Sequence, residues 1–335
     1  MSNKIYIVTG ATGFVGSTLV EQLLKEGKTV HAMVRSKEKA QEVLGETSAK
    51  LFFGDARNES DIEALFTDPD ATYIFMHSAA MVVLNGKKPI LAQMHKVNVE
   101  GTKQIIESCL RHNAKLIYVS SVHAIPVLPK KSLMTETLDF NTKKIKGRYA
   151  KSKAEASALV IDAVKNRNLN AVIVHPAAIS GPGDPGQTHL TQMVIDYMKG
   201  RIPAATKGGY NFVDIRDVCF GIIAAEKAES GQTYLLTGHY ISVTEVLTIL
   251  YEETGCKKIT KTYPMWLARV GLPFLAAKAK MANTRPLYTS YSLYTLQSNS
   301  NFSNEKAVKE LGFNPRELRE SLRDTVQYLK DKGRV

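Results

Sequence analysis

Cysteine, tryptophan and long apolar runs are all scarce in this chain. Three cysteines, Cys109, Cys219 and Cys256, are spread through 335 residues. They form no CxxC pair and no metal-type spacing, so neither a disulfide framework nor a metal site is expected. The plain reading is reduced thiols in a cytoplasmic protein. No apolar run approaches the roughly 18–20 residues that span a bilayer. The longest, from Trp266 to Ala277, is interrupted by Arg269, Gly271 and Pro273. It reads as a pocket-lining or core helix, without stable membrane insertion; surface contact by residues 264–282 stays open. The N-terminus enters a strand directly, with no charged and apolar leader, so no secretion signal is expected. Acidic residues are also short: 32 against 44 Lys and Arg, for a net charge of +12. The basic residues stand in short clusters such as Lys87-Lys88 and Lys143-Lys144, with no interleaved aromatics. They read as solvated faces with a few available to phosphorylated ligands, and nucleic acid is not an expected partner.

What is present is an ordinary globular balance of 44% apolar and 23% charged residues, over a length that suits one large domain and a smaller one. Apolar segments alternate with helical ones. KIYIVTG, TVHAMV, KLFFGD, TYIFMHSAA, KLIYVSS and NAVIVHP read as strands. Phe14 to Glu26, Pro89 to His112 and Gly147 to Lys165 read as helices between them. This predicts an α/β fold with a doubly wound, Rossmann-like parallel sheet, whose ligand crevice lies at the carboxyl ends of the strands. After Pro176 the pattern turns irregular. Residues 1–176 plus about 210–236 are expected to form the dinucleotide domain. About 177–209 plus 237–335 are expected to form a smaller α/β substrate lobe. One return to the sheet is expected near Tyr210 to Ala225, and a charged last helix near Leu318 to Lys332.

The first strand runs into TGATGFVG, with Gly10, Gly13 and Gly16 in GxxGxxG spacing. Glycines let the backbone turn and approach a pyrophosphate, and the helix that opens at Phe14 aims its free N–H groups at the phosphates. Thr12, Phe14 and Val15 belong to the same turn. At the end of the second strand Arg35 stands where an acidic residue would hold the ribose of NAD; an arginine suits the 2′-phosphate of NADP. NADP(H) is therefore preferred and NAD(H) possible, the bland alternative being an Arg35 that stacks on adenine or faces solvent. Asp55, followed by Ala56, is placed to accept a hydrogen bond from adenine, or is an ordinary loop aspartate.

At the reacting end, Tyr149 and Lys153 form YxxxK. Positions i and i+4 share a helix face, and a cation beside a phenol favours its ionised form. Such a tyrosine exchanges a proton with a carbonyl or alcohol oxygen. Ser120 and Ser121 end the fifth strand, and Ser121 is the better placed to hold the carbonyl. His123 follows as a weaker substrate contact, a loop histidine bonded to backbone being the commoner case.

In that order, TGATGFVG, Gly54-Asp55, HSAA at 77–80, NVEGT at 98–102, YVSS at 118–121, YAKSK at 149–153, HPAAISGPGD at 175–184 and NFVDIRDV at 211–218 resemble the extended short-chain dehydrogenase/reductases. The resemblance is to the dihydroflavonol reductase, cinnamoyl-CoA reductase and 3β-hydroxysteroid dehydrogenase branch. It implies a general acid/base Tyr149, a Lys153 on the nicotinamide ribose and a Ser121 that orients the carbonyl. It also implies an Asn98 that braces backbone, and cofactor contacts at Ser78, Ala79, Ala80, Pro176, Ala177, Ala178 and Ile179. Met81 and Ser180 are weaker substrate candidates. A homodimer through the helices of Asn98 and Tyr149 is implied as well. The expected activity is NADPH-dependent reduction of an aldehyde or ketone on a small, moderately apolar substrate. Two readings compete. A nucleotide-sugar epimerase or dehydratase is disfavoured by Ala178 and by Asn211, where those enzymes tend to carry asparagine and a phosphate-clamping arginine. A non-catalytic NADP(H) sensor is disfavoured by the complete Ser121, Tyr149 and Lys153 set.

Overall fold

The computed structural model describes residues 3–186, 188–272 and 289–335. Seven strands form one parallel sheet: β1 (Lys4–Thr9), β2 (Thr29–Val34), β3 (Lys50–Phe53), β4 (Thr72–His77), β5 (Lys115–Val119), β6 (Ala171–Pro176) and β10 (Thr233–Leu236). Their order is β10-β6-β5-β4-β1-β2-β3, which reverses between β1 and β4. A reversal of this kind opens a crevice at the carboxyl edge.

The strands are continuously apolar because both faces of the sheet are covered. In β1, Tyr6 and Val8 join one core, while Ile5 and Ile7 join the other. The first core takes in α1 (Phe14–Lys25) through Leu19, Val20 and Leu23, and α8 (Ile215–Ala224) through Val218 and Ile222. The second takes in α5 (Gly101–Arg111) through Ile105 and Ile106, and α6 (Arg148–Arg167) through Ala154 and Val160.

A third core contains no residue of the large sheet. It joins α7 (His189–Met198), α9 (Val243–Thr254) and the final helix Leu318–Asp331. The last contributes Leu318, Leu322, Val326 and Leu329, one apolar stripe on an otherwise charged helix. Asp214 ties this helix to α8. It caps the Arg216 N–H at 2.8 Å, holds the Arg216 guanidinium, and accepts from Ser321.

Two expectations change. The strand at Tyr210 does not return to the large sheet. It is β9 (Gly209–Asp214), which pairs with β7 (Ala178–Ser180) and β11 (His239–Ser242) in a small sheet. The return is made by α8 and then β10, which pairs with β6. Both segments are short and apolar, so hydrophobicity alone did not separate them. The helix expected from Pro89 to His112 is also interrupted. It consists of α4 (Lys88–His95), a π turn at Lys96–Glu100, and α5. The π turn aims Asn98 into the protein rather than along the helix surface.

Among the described residues no helix is long and apolar enough to cross a membrane. Trp266 and Val270 are exposed on the helical segment 265–272, and the remainder of the 264–282 segment lies outside the described residues.

Candidate active site

The site begins at the turn after β1. Gly10 has φ +69°, and a Cβ on it would stand 2.8 Å from Cα of Ala79. One on Gly16 would stand 2.1 Å from the Gly10 carbonyl oxygen, and one on Gly13 would stand 3.2 Å from the same atom. The turn is thus drawn tightly against both α1 and the end of β4. Gly13 caps α1 without a side-chain bond, so the first N–H groups of the helix are not consumed by a capping residue. Thr12 and Val15 are half-buried, whereas Phe14 and Gly16 are buried. Backbone that close to a positive helix end fits a pyrophosphate.

Threads from β4 fix this turn. Ser78 donates to the Thr9 carbonyl at 2.7 Å, and the Thr9 hydroxyl meets His77 Nδ1 at 2.7 Å. His77 Nε2 reaches Thr102 at 3.2 Å. Burial pushes this imidazole down to about 3, so it is a neutral bridge. Ala79 is half-buried and Ala80 exposed beside the turn.

Asn98 supplies the next brace. Its side-chain oxygen accepts from the Met81 N–H at 2.8 Å, and its amide donates to the Met81 carbonyl at 3.0 Å. The same amide donates to Ser152 at 2.9 Å, and Ser152 donates to the Tyr149 carbonyl at 2.8 Å. The π turn therefore positions the first turn of α6. Ser152 was not singled out from sequence; its place inside YAKSK was the only signal.

Tyr149 and Lys153 lie on α6, and Ser121 lies just beyond β5. Desolvation pushes the Tyr149 phenol up to about 12, with the Ser121 side chain acting in the opposite direction. Lys153 is buried and is pushed down to about 7 by loss of water. Its ammonium donates to the Val119 carbonyl at 2.7 Å and stands 4.9 Å from the Tyr118 ring centroid. The expected depression of the tyrosine by lysine is not what these surroundings produce. Burial dominates both groups, and the lysine points at β5. Ser120, the less favoured serine, is spent on Ser157 at 2.7 Å.

At the adenine end, Asp55 is engaged by a neighbouring cation. Arg57 occupies both its oxygens, Nε at 2.9 Å and Nη2 at 2.7 Å, and holds the carboxyl below its usual range. The acceptor expected for adenine therefore forms a bidentate ion pair with Arg57. Ala56 is buried beneath it, its carbonyl 3.3 Å from where a Cβ of Gly101 would be. Arg35 is exposed and near enough to add to the depression of Asp55.

Pro176, Ala177, Ala178 and Ile179 run from β6 into β7 at the same carboxyl edge, with Ala177 N–H on the Leu236 carbonyl at 3.1 Å. His175 before them is a core residue, its Nδ1 3.2 Å from the Ser121 carbonyl and its ring stacked on Phe140. Ser180 is buried in the small sheet, away from the cavity lining. His123, by contrast, lines a narrow cavity together with Val122, Ile125, Met134, Tyr210 and Tyr291. The two tyrosines come from 87 and 168 residues away, beyond any local sequence signal.

Residues 6–236 match the NAD dependent epimerase/dehydratase family. The chain belongs to that family. Over 336 residues it is 27% identical to sterol demethylase protein B of Methylococcus capsulatus, covering 98% of this chain and 99% of that protein. It is 26% identical to cinnamoyl-CoA reductase 1 of Arabidopsis thaliana, covering 100% and 91%. The crystal structure of gox2253 superposes with a TM-score of 0.83 at 30% identity, covering 99% and 100%. The chain is thus an extended short-chain dehydrogenase/reductase and an NAD(P)-dependent oxidoreductase.

Proposed function

We propose that the chain reduces an aldehyde or ketone on an apolar small molecule to the alcohol, with NADPH preferred over NADH. The observation that carries this reading is the placement of Tyr149 and Lys153 one turn apart on α6, with Ser121 just beyond the end of β5. The glycine turn, the open N-terminus of α1, and Lys153 would hold the dinucleotide, whose nicotinamide supplies a hydride when bound. The two hydroxyls of Ser121 and Tyr149 would both serve one carbonyl oxygen. Ser121 orients it. Tyr149, protonated at neutral pH, donates its proton as negative charge develops there. Neither group needs to ionise beforehand.

Val122, Ile125 and Met134, in the wall of the cavity beside His123, favour apolar contact with the substrate. The names of the relatives, a sterol demethylase component and a cinnamoyl-CoA reductase, favour the same class. Asn211 argues against a nucleotide sugar. Its amide is spent on Gly238, accepting at 2.9 Å and donating at 3.2 Å, and offers a diphosphate no cation. A homodimer through the helical stretch that carries Asn98 and the helix of Tyr149 accompanies this reading.

Deuterium transfer tests the function. With NADPH deuterated at C4, the reading predicts one deuterium on the carbinol carbon, with stoichiometric loss of NADPH. Substrate rearranged without loss of NADPH would establish an epimerase instead.

A further inference from the structure

We propose that His123, Tyr210 and Tyr291 form a second hydrogen-bonding station, which reads an oxygen of the substrate other than the reacting carbonyl. The preferred substrate is then an oxygenated apolar ketone rather than a simple one. The inference rests on the reductase reading and deepens it.

The three side chains converge from separate elements. His123 follows β5, Tyr210 is on β9, and Tyr291 is on the helix Ser290–Thr295. The Tyr210 hydroxyl lies 3.4 Å from His123 Nδ1 and 3.2 Å from Nε2. The Tyr291 hydroxyl lies 3.3 Å from Nδ1. All three residues line the cavity, and the His123 ring centroid is 6.4 Å from that of Tyr149. The station thus stands directly beside the reacting group.

Counting hydrogens shows what the cluster lacks. Burial pushes His123 down to about 4, so at neutral pH its ring carries one N–H and one acceptor nitrogen. If Nε2 holds the proton, it donates to Tyr210, and Nδ1 accepts from Tyr291. The hydrogen of Tyr210 is then unspent. If Nδ1 holds the proton, it donates to Tyr291, and Nε2 accepts from Tyr210. The hydrogen of Tyr291 is then unspent. Either tautomer leaves one phenol O–H without an acceptor among these three groups, and a tautomer change moves it from one tyrosine to the other. The unspent donor, on buried Tyr210 or half-buried Tyr291, is open to an oxygen acceptor of a molecule seated beside it.

The backbone fixes the station against the catalytic helix. A Cβ on Gly147 would lie 2.3 Å from Cε2 of Tyr291, and Gly147 has φ +96°. The Tyr291 ring therefore rests on the residue two places before Tyr149. The register between the two stations follows from that contact.

The test is calorimetric titration of the NADP⁺-bound protein with 1-tetralone and with its 2-, 5-, 6- and 7-hydroxy derivatives. The proposal predicts that at least one hydroxytetralone binds about tenfold tighter than 1-tetralone, the effect of one neutral hydrogen bond at the strong end. Tyr210→Phe and Tyr291→Phe each lower that ratio only about twofold, because the tautomer adjusts. The double variant frees the His123 N–H, and His123→Leu added to it brings the ratio to about one. A merely structural cluster would not give this non-additive pattern. No preference in the wild type, no binding of any tetralone, or a preference that survives in the triple variant would overturn the proposal. NADPH oxidation with 1-tetralone, measured separately, reports on the reductase reading itself.

Discussion

The Lys153 ammonium donates to the Val119 carbonyl at 2.7 Å, so the lysine of the YxxxK pair is anchored to the end of β5. That bond fixes the lysine without charging it. Loss of water lowers its titration from 10.5 to about 7. Between those values the unfolded chain holds a proton that the folded chain has released, so stability rises with pH across that window. Below about 7 both states are protonated, and the folded state carries the whole cost. Thermal melts from pH 6 to 10, without added cofactor, check this. The melting temperature of the wild type should climb relative to Lys153→Met between pH 7 and 10, and run parallel to it below 7. A constant difference over the whole range would mean that burial does not depress the lysine.

Gly16 decides whether the phosphate turn closes. A methyl group there would meet the Gly10 carbonyl oxygen at 2.1 Å, and that contact is backbone to backbone. Gly16→Ala should cost about 3 kcal/mol, at the upper end of overpacking. It should also weaken dinucleotide binding more than tenfold. Gly27→Ala is the control for φ alone, since a Cβ there meets nothing within 4 Å at φ +69°. Denaturant titration separates the two, and equal losses would show that crowding at Gly16 is not the cause.

Much of the cofactor half was legible because its signals are local. GxxGxxG needs only a strand before it and a helix after it, and the alternation of segments through NAVIVHP gave the parallel sheet. The positions of Ser121, Tyr149 and Lys153 followed from the ends of strands and one helix spacing. What stayed hidden depends on distance or surroundings. Nothing near Asp55 distinguishes an adenine acceptor from the partner of Arg57. The π turn that aims Asn98 inward leaves no mark on apolar periodicity. Tyr210 reads as one residue of an apolar strand, and its partner His123 is 87 positions away. The pKa values of Tyr149 and Lys153 are set by burial, which YxxxK spacing does not convey.

The NADPH preference proposed above would rest on Arg35. Arg57 is engaged by Asp55, whereas Arg35 is exposed and has no ion pair among the described residues. Arg35→Glu should weaken NADPH binding about 100-fold, near 3 kcal/mol, the range for charge-assisted hydrogen bonds. NADH binding should change less than threefold. Fluorescence titration of both nucleotides checks this; parallel losses would place Arg35 away from the phosphate.

The most direct test of the account is NADPH oxidation in the presence of a hydroxytetralone by the wild type and by Tyr149→Phe. The variant keeps the ring and its packing and removes one hydroxyl. The account predicts NADPH binding within threefold of wild type and a fall in kcat of at least about 100-fold, the lower end for a lost general acid. Turnover by the variant at the wild-type rate would contradict the assignment of Tyr149 as proton donor.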